Sequence, residues 1–177
     1  MPNCGNSSIA VFAYRRLVGV RGLANSALSH PDCLACQTLQ GQVAVPGGVI
    51  AENEWWLADH CLGPYGVGAI VVKTKIHREE LADLSANEAA SLGLFLQRLT
   101  TAMRVALGAK RVYINLWDDD APHHVHFLLQ PRYGTKEELG LVGLELQVFR
   151  ALQKPPAPTE AEAAAVKVRQ CLANQPA

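Results

Sequence analysis

The sequence has no surplus of either charge. Sixteen Lys and Arg balance sixteen Asp and Glu, which argues against a polyanion such as nucleic acid as the main partner. No apolar run approaches the roughly 20 residues of a membrane span. The first residues make a poor signal peptide. Ile9–Tyr14 is too short for its apolar region, and Arg15 and Arg16 follow that stretch instead of preceding it. A cytosolic protein with no membrane partner is expected. A disulfide framework is also missing, because the five cysteines (Cys4, Cys33, Cys36, Cys61, Cys171) are odd in number and scattered. There is no internal repeat. Hydrophobic residues at 49% and charged residues at 18% exclude a disordered chain, and 177 residues suffice for one domain with a proper core.

What the sequence does have is a concentration of histidine. Three of its six histidines fall within His123-His124-Val125-His126, and the apolar run Phe127-Leu128-Leu129 follows, closed by Gln130-Pro131-Arg132. This reads as a strand with a polar start. Alternation puts His124, His126, Leu128 and Gln130 on one face and His123, Val125, Phe127 and Leu129 on the other. Two imidazoles on one face can do two jobs at one site. The plainer reading of the same pattern is one or two satisfied core histidines.

The only local cysteine pattern is Cys33-Leu34-Ala35-Cys36. Two thiolates from one tight turn suit tetrahedral zinc, and two further ligands are then needed. His77 follows a strand and His124 begins another, so neighbouring strands can carry both to the cysteine turn. A redox pair and two buried free cysteines are the alternatives.

The remaining elements follow from capping and periodicity. Asp32 is expected to cap a short helical turn carrying Cys36 to Gln40. Val49–Glu52 and Glu54–Ala58 read as strands joined at Asn53, and Val67–Lys75 as a strong strand delivering His77. Ser85-Ala86-Asn87-Glu88 has the capping-box spacing. The helix behind it carries Leu92, Leu96, Leu99, Met103 and Leu107 near a 3.6-residue period and stops at Gly108. Arg111–Trp117 is the next strand. Asp118-Asp119-Asp120-Ala121-Pro122 reads first as a solvated turn and secondly as a cation site. A helix is expected near residues 145–152 and another over 159–172, with Thr159 as its cap. Strands, one long helix and then a hairpin argue an α+β domain with an antiparallel sheet. The divisions expected are an extension of unread role (1–30), a main domain (31–153), and a linker with a C-terminal helix (154–177).

Taken together, Asp32–Gln37, Gly68–His77, Ser85–Gly108, Asn115 and His124-Val125-His126 through Pro131-Arg132 resemble the histidine triad superfamily in order and spacing, over residues 32–132. The resemblance implies an α+β fold with a five-stranded antiparallel sheet and one long packed helix, commonly as a homodimer. It implies a structural zinc on Cys33, Cys36, His77 and His124, and a nucleotide or nucleotide conjugate as ligand. It implies that His126, the middle histidine of the motif, attacks an α-phosphate and carries the nucleotidyl group. Asp59 is the nearest match to the ribose-binding acidic residue, although Cys61 competes for that position. Asn115 and Arg132 are candidates near the phosphate.

Two departures bear on activity. The third histidine of the motif is Leu128, which has no donor for phosphate, and Gln130 lies too far along the strand to replace it. The loop before the motif carries three carboxylates where glycine, glutamine and hydroxyl donors are usual. The expected function is therefore a nucleotide hydrolase or nucleotidyl transferase. The alternative is a zinc-containing nucleotide-binding or regulatory module of the same fold with little or no turnover.

Overall fold

The computed structural model describes residues 29–119 and 121–175. The expected N-terminal extension falls almost wholly outside them, as do Cys4 and Asp120. Five strands, β1 (Val49–Glu52), β2 (Trp56–His60), β3 (Ile70–Thr74), β4 (Arg111–Asn115) and β5 (His126–Arg132), form one antiparallel sheet in the order β1-β2-β3-β5-β4. Four α-helices, α1 (Leu34–Leu39), α2 (Ala86–Leu107), α3 (Gly143–Ala151) and α4 (Pro158–Ala173), and two 3-10 turns (Leu81–Asp83 and Lys136–Glu138) are the other regular elements of the described residues. The α+β fold with its five-stranded antiparallel sheet is the one expected. No helix among the described residues is long and apolar enough to cross a membrane.

The two faces of the sheet differ because the strands alternate in character. Trp56, Ala58, Ile70, Val72 and Leu129 pack with Phe95, Leu99, Ala102 and Met103 of α2 and with Ala165 and Val168 of α4. Helix α2 begins where its sequence directs. The Ser85 hydroxyl accepts from the Glu88 N–H at 3.2 Å, and the Glu88 carboxylate accepts from the Ser85 N–H at 2.6 Å. It ends at Gly108, whose φ of +68° favours glycine. The opposite face carries Asp59, Lys73 and His126, and α1 lies beside it: the Thr38 hydroxyl reaches Lys73.

Several boundaries move for local reasons. The second strand starts at Trp56, two residues later than expected, because the Asn53 side-chain oxygen takes the N–H groups of Trp55 and Trp56 at 2.8 and 2.7 Å. That turn holds residues 53–55 out of the ladder. The third strand starts at Ile70, since Gly66 and Gly68 hold positive φ just before it. Strand β4 ends at Asn115, paired to Leu128, and Leu116 and Trp117 run on exposed. Helix α1 is capped at Cys33 with no side-chain bond, so Asp32 does not cap it. Helix α4 starts with Pro158 in its first turn and Ala157 as its cap residue, in place of Thr159. The α3 helix runs from Gly143 to Ala151, slightly ahead of the expected segment.

Candidate functional site

The turn into α1 places Cys33 and Cys36 side by side, both 2% exposed. The segment after β3 brings His77 to them, and the segment before β5 brings His124. The Cys33 Sγ lies 3.4 Å from the His124 Nδ1. The Cys36 Sγ lies 3.4 Å from the His77 Nδ1 and 3.6 Å from the His124 Nδ1, and the two Nδ1 atoms are 3.3 Å apart. All four ligand atoms lie within 4.8 Å of one another. Ligands bonded to zinc at about 2.0–2.3 Å stand roughly 3.3–3.8 Å apart at the corners of a tetrahedron, and the measured N–N and N–S separations match that spacing.

The imidazole of His124 is set for this role by its other nitrogen. Its Nε2 lies 2.9 Å from the Thr74 carbonyl oxygen and 3.0 Å from the Thr74 hydroxyl. A carbonyl only accepts, so Nε2 carries the proton and Nδ1 is left bare toward the sulfurs. Burial, more than any charge, lowers the His124 pKa to about 4, with the Thr74 bond working against it. Burial likewise pushes the Cys36 thiol up. A neutral imidazole beside two soft sulfurs is the donor chemistry a zinc ion fits.

Two residues on, His126 begins β5 and faces a cavity of about 450 Å³, within the size range of small-molecule sites. Its Nδ1 lies 2.7 Å from the His124 carbonyl oxygen, so that nitrogen carries the proton and Nε2 holds the lone pair. Asp118 braces the backbone of the same residue, His124, on the other side of its Cα. Its Oδ2 accepts from the His124 N–H at 2.6 Å and stands 3.9 Å from the His126 Nδ1, while its Oδ1 is 3.7 Å from the His123 Nδ1. Asp118 is therefore a bonded part of the site, which corrects the solvated-turn reading for that residue, while Asp119 is exposed.

The expected ligand-contacting residues are placed unequally. Asp59 lines the cavity with His126, yet its Oδ2 is bonded to the Lys73 ammonium at 2.5 Å, and both side chains are almost fully buried. Burial raises the Asp59 pKa, and Lys73 opposes that shift. Cys61 lines the same cavity, and burial takes its thiol up to about 11. Asn115 does not line the cavity. Its amide donates to the Gln130 Oε1 at 3.1 Å and accepts from the Gln147 Nε2 at 3.4 Å. Arg132 sits opposite Arg111 at the other end of β5, six residues and roughly 20 Å from His126, so the fold does not bring it to the phosphate position assigned to it. Leu128 pairs with Val71 and Asn115 and offers no donor. His60 is a satisfied core histidine: its Nδ1 bonds the Cys61 carbonyl at 2.8 Å and its Nε2 accepts from the Gly68 N–H at 2.9 Å.

Sequence reasoning missed Lys73 and Asp118. For Lys73 there was a signal, a lone charge directly after Ala69-Ile70-Val71-Val72 within a buried strand. For Asp118 there was none, since its partner is a backbone N–H.

No protein-family model matches the sequence, and none of the curated proteins does. Solved structures do match in three dimensions. A zinc-bound histidine triad family protein from Mycobacterium smegmatis superposes with a TM-score of 0.60 at 23% identity, over 80% of this chain and 94% of that one. A hypothetical histidine triad nucleotide-binding protein from Sulfolobus tokodaii gives 0.64 at 15% identity, over 80% and 93%. Plasmodium falciparum diadenosine triphosphate hydrolase, solved with cyclomarin A, gives 0.53 at 14% identity, over 72% and 77%. At these identities the likeness is one of fold, and the chain has the fold of these histidine triad proteins.

Proposed function

We propose that the chain belongs to the histidine triad superfamily and is a nucleotide hydrolase or nucleotidyl transferase, with His126 as the nucleophile. The observation that carries this reading is the 2.7 Å bond between the His126 Nδ1 and the His124 carbonyl. It leaves the Nε2 lone pair free on a residue that lines a ligand-sized cavity. In the reaction, Nε2 attacks the α-phosphorus of a nucleotide. The bond from phosphorus to the leaving oxygen or nitrogen breaks, and that atom departs with the electron pair and takes up a proton from solvent. Water or a second acceptor then attacks the phosphoramidate, the P–N bond breaks, and Nε2 recovers its lone pair. Asp118 steadies the imidazole and the positive charge it gains while phosphorylated.

Cys33, Cys36, His77 and His124 would hold zinc as a closed Cys2His2 site, which supplies folding stability and leaves His126 free for chemistry. A zinc-bound protein among the structural neighbours supports the choice of metal. The chain acts as a soluble cytosolic homodimer in this reading.

Incubation with a nucleoside phosphoramidate or a dinucleoside polyphosphate tests the proposal. Wild type should release nucleoside monophosphate and carry a nucleotidyl adduct, visible by intact mass, that His126→Ala lacks. An unchanged rate in His126→Ala would refute it. Leu128 favours the second reading, a nucleotide-binding module without turnover, for which tight binding with neither product nor adduct is the signature.

A further inference from the structure

The one buried ammonium in the cavity has no part in the chemistry above. Lys73 is 2% exposed and lies in β3 directly opposite His126 of β5, on the same sheet face. Its Nζ donates to the Asp59 Oδ2 and to the Thr38 hydroxyl, each at 2.5 Å. An ammonium has three N–H groups and a carboxylate about four acceptor positions. One Lys73 donor and one Asp59 oxygen therefore have no partner among the described residues, and both side chains line the cavity. The pair is neutral as a unit, so a second phosphate is not what it favours. It favours an uncharged group that carries a donor and an acceptor side by side.

Position distinguishes the base from the sugar. Asp59 pairs with Val71, which pairs with Leu128, whereas Lys73 pairs with His126. Asp59 thus lies two strands across and two residues along from His126, roughly 12 Å between Cα atoms. A ligand whose phosphorus sits at His126 must extend across the sheet to reach this pair, and the hydrogen-bonding edge of the base is the part of a nucleotide that extends farthest from the phosphorus. The ribose hydroxyls stand much closer to the phosphorus.

We infer that Lys73 and Asp59 form a specificity pair that reads the hydrogen-bonding edge of the nucleobase, Asp59 accepting from a ring or exocyclic N–H and Lys73 donating to the acceptor beside it. The inference rests on the nucleotide reading and adds to it that the base is chosen by its edge. A base lacking the donor leaves a buried carboxylate oxygen unpaired, the situation in which binding sites discriminate most strongly.

Calorimetry on the zinc-loaded protein tests this with the four common ribonucleoside monophosphates, purine riboside 5′-monophosphate, and the 2′,3′-dideoxy form of the best natural ligand. Purine riboside monophosphate keeps the ring but has no base donor. The expected result is at least about tenfold weaker binding of purine riboside monophosphate than of the best natural nucleotide, with a smaller loss for the dideoxy form. The double variant Lys73→Met/Asp59→Leu replaces the ion pair with apolar groups, a change buried pairs often tolerate. In it the preference for the natural base should vanish. Equal binding of purine riboside monophosphate by wild type, a larger loss for the dideoxy form, or an unchanged preference in the double variant would each overturn the inference while leaving the nucleotide reading intact. Absence of binding by all four nucleotides would overturn both.

Discussion

The backbone of His124 is held on both sides of its Cα: its N–H donates to the Asp118 Oδ2 at 2.6 Å, and its carbonyl accepts from the His126 Nδ1 at 2.7 Å. The residue whose side chain faces the cysteine turn thereby also fixes the tautomer of the proposed nucleophile. Asp118→Asn keeps the shape and removes the charge beside the His126 Nδ1. Its kcat should fall by about 10- to 100-fold, in line with losses of orienting partners elsewhere, with KM nearly unchanged. Steady-state kinetics at saturating and limiting nucleotide separates the two. A change in KM alone would count against a positioning role.

The cysteine turn predicts metal dependence. Purified protein should contain one zinc per chain by elemental analysis, and Cys36→Ser and His77→Ala should each lose it. A ligand present at about a thousand times its dissociation constant stabilises the native state by about 4 kcal/mol, so chelation should lower the thermal midpoint by many degrees. Zinc-free wild type, prepared under reducing conditions, would instead direct attention to a redox role for Cys33 and Cys36.

Leu128 predicts a gain of function. It follows His126 on the same face of β5 and brings no donor where the histidine triad motif has its third histidine. A single oxyanion donor is worth on the order of 100–1000-fold in rate. Leu128→His should raise kcat for α-phosphate transfer by about tenfold or more if the loop before the motif leaves the phosphate room. No gain, with zinc content and stability preserved, would mean that the missing donor at position 128 does not limit the reaction.

Where the signal was local, the sequence was readable. The capping box at Ser85 and Glu88, the glycine stop at Gly108 and the 3.6-residue stripe define α2 almost to the residue. Cys33 and Cys36 share one turn, and His77 and His124 are the two histidines at strand ends that the sheet order carries to it. Where the deciding contact was distant, reading along the chain failed. One local contact was also missed, since Asn53 shifts β2 by accepting the N–H groups of Trp55 and Trp56. Lys73 is stable in a buried strand only because Asp59 and Thr38 meet it across the fold. Arg132 follows the motif closely in sequence, yet an extended strand carries it away from His126. The small side chains of helix α4 let it approach β1, β2 and the turn before β1, where an added Cβ at Gly47 would stand 2.7 Å from Ala165.

His60 sets a pH dependence that is independent of the cysteine turn. Burial is the main cause holding its pKa below the ordinary 6.5, with its bond to the Cys61 carbonyl opposing in part. The folded chain keeps this imidazole neutral, because Nε2 accepts from the Gly68 N–H. The unfolded chain binds a proton there once the pH falls below about 6.5. Unfolded protein then holds more protons than folded protein, so stability falls as pH drops. The His60 contribution is complete above 6.5 and is lost progressively toward the folded pKa. His60→Gln removes the titration and retains polar atoms for the Gly68 and Cys61 groups. Urea unfolding at about pH 7.5 and about pH 5 should show wild type losing more stability than His60→Gln between the two conditions, although the variant starts lower. Subtracting one from the other removes what the zinc ligands and surface carboxylates contribute to both. Equal losses would mean that His60 stays protonated or stays solvated in the native protein, and that the Gly68 N–H finds its acceptor elsewhere.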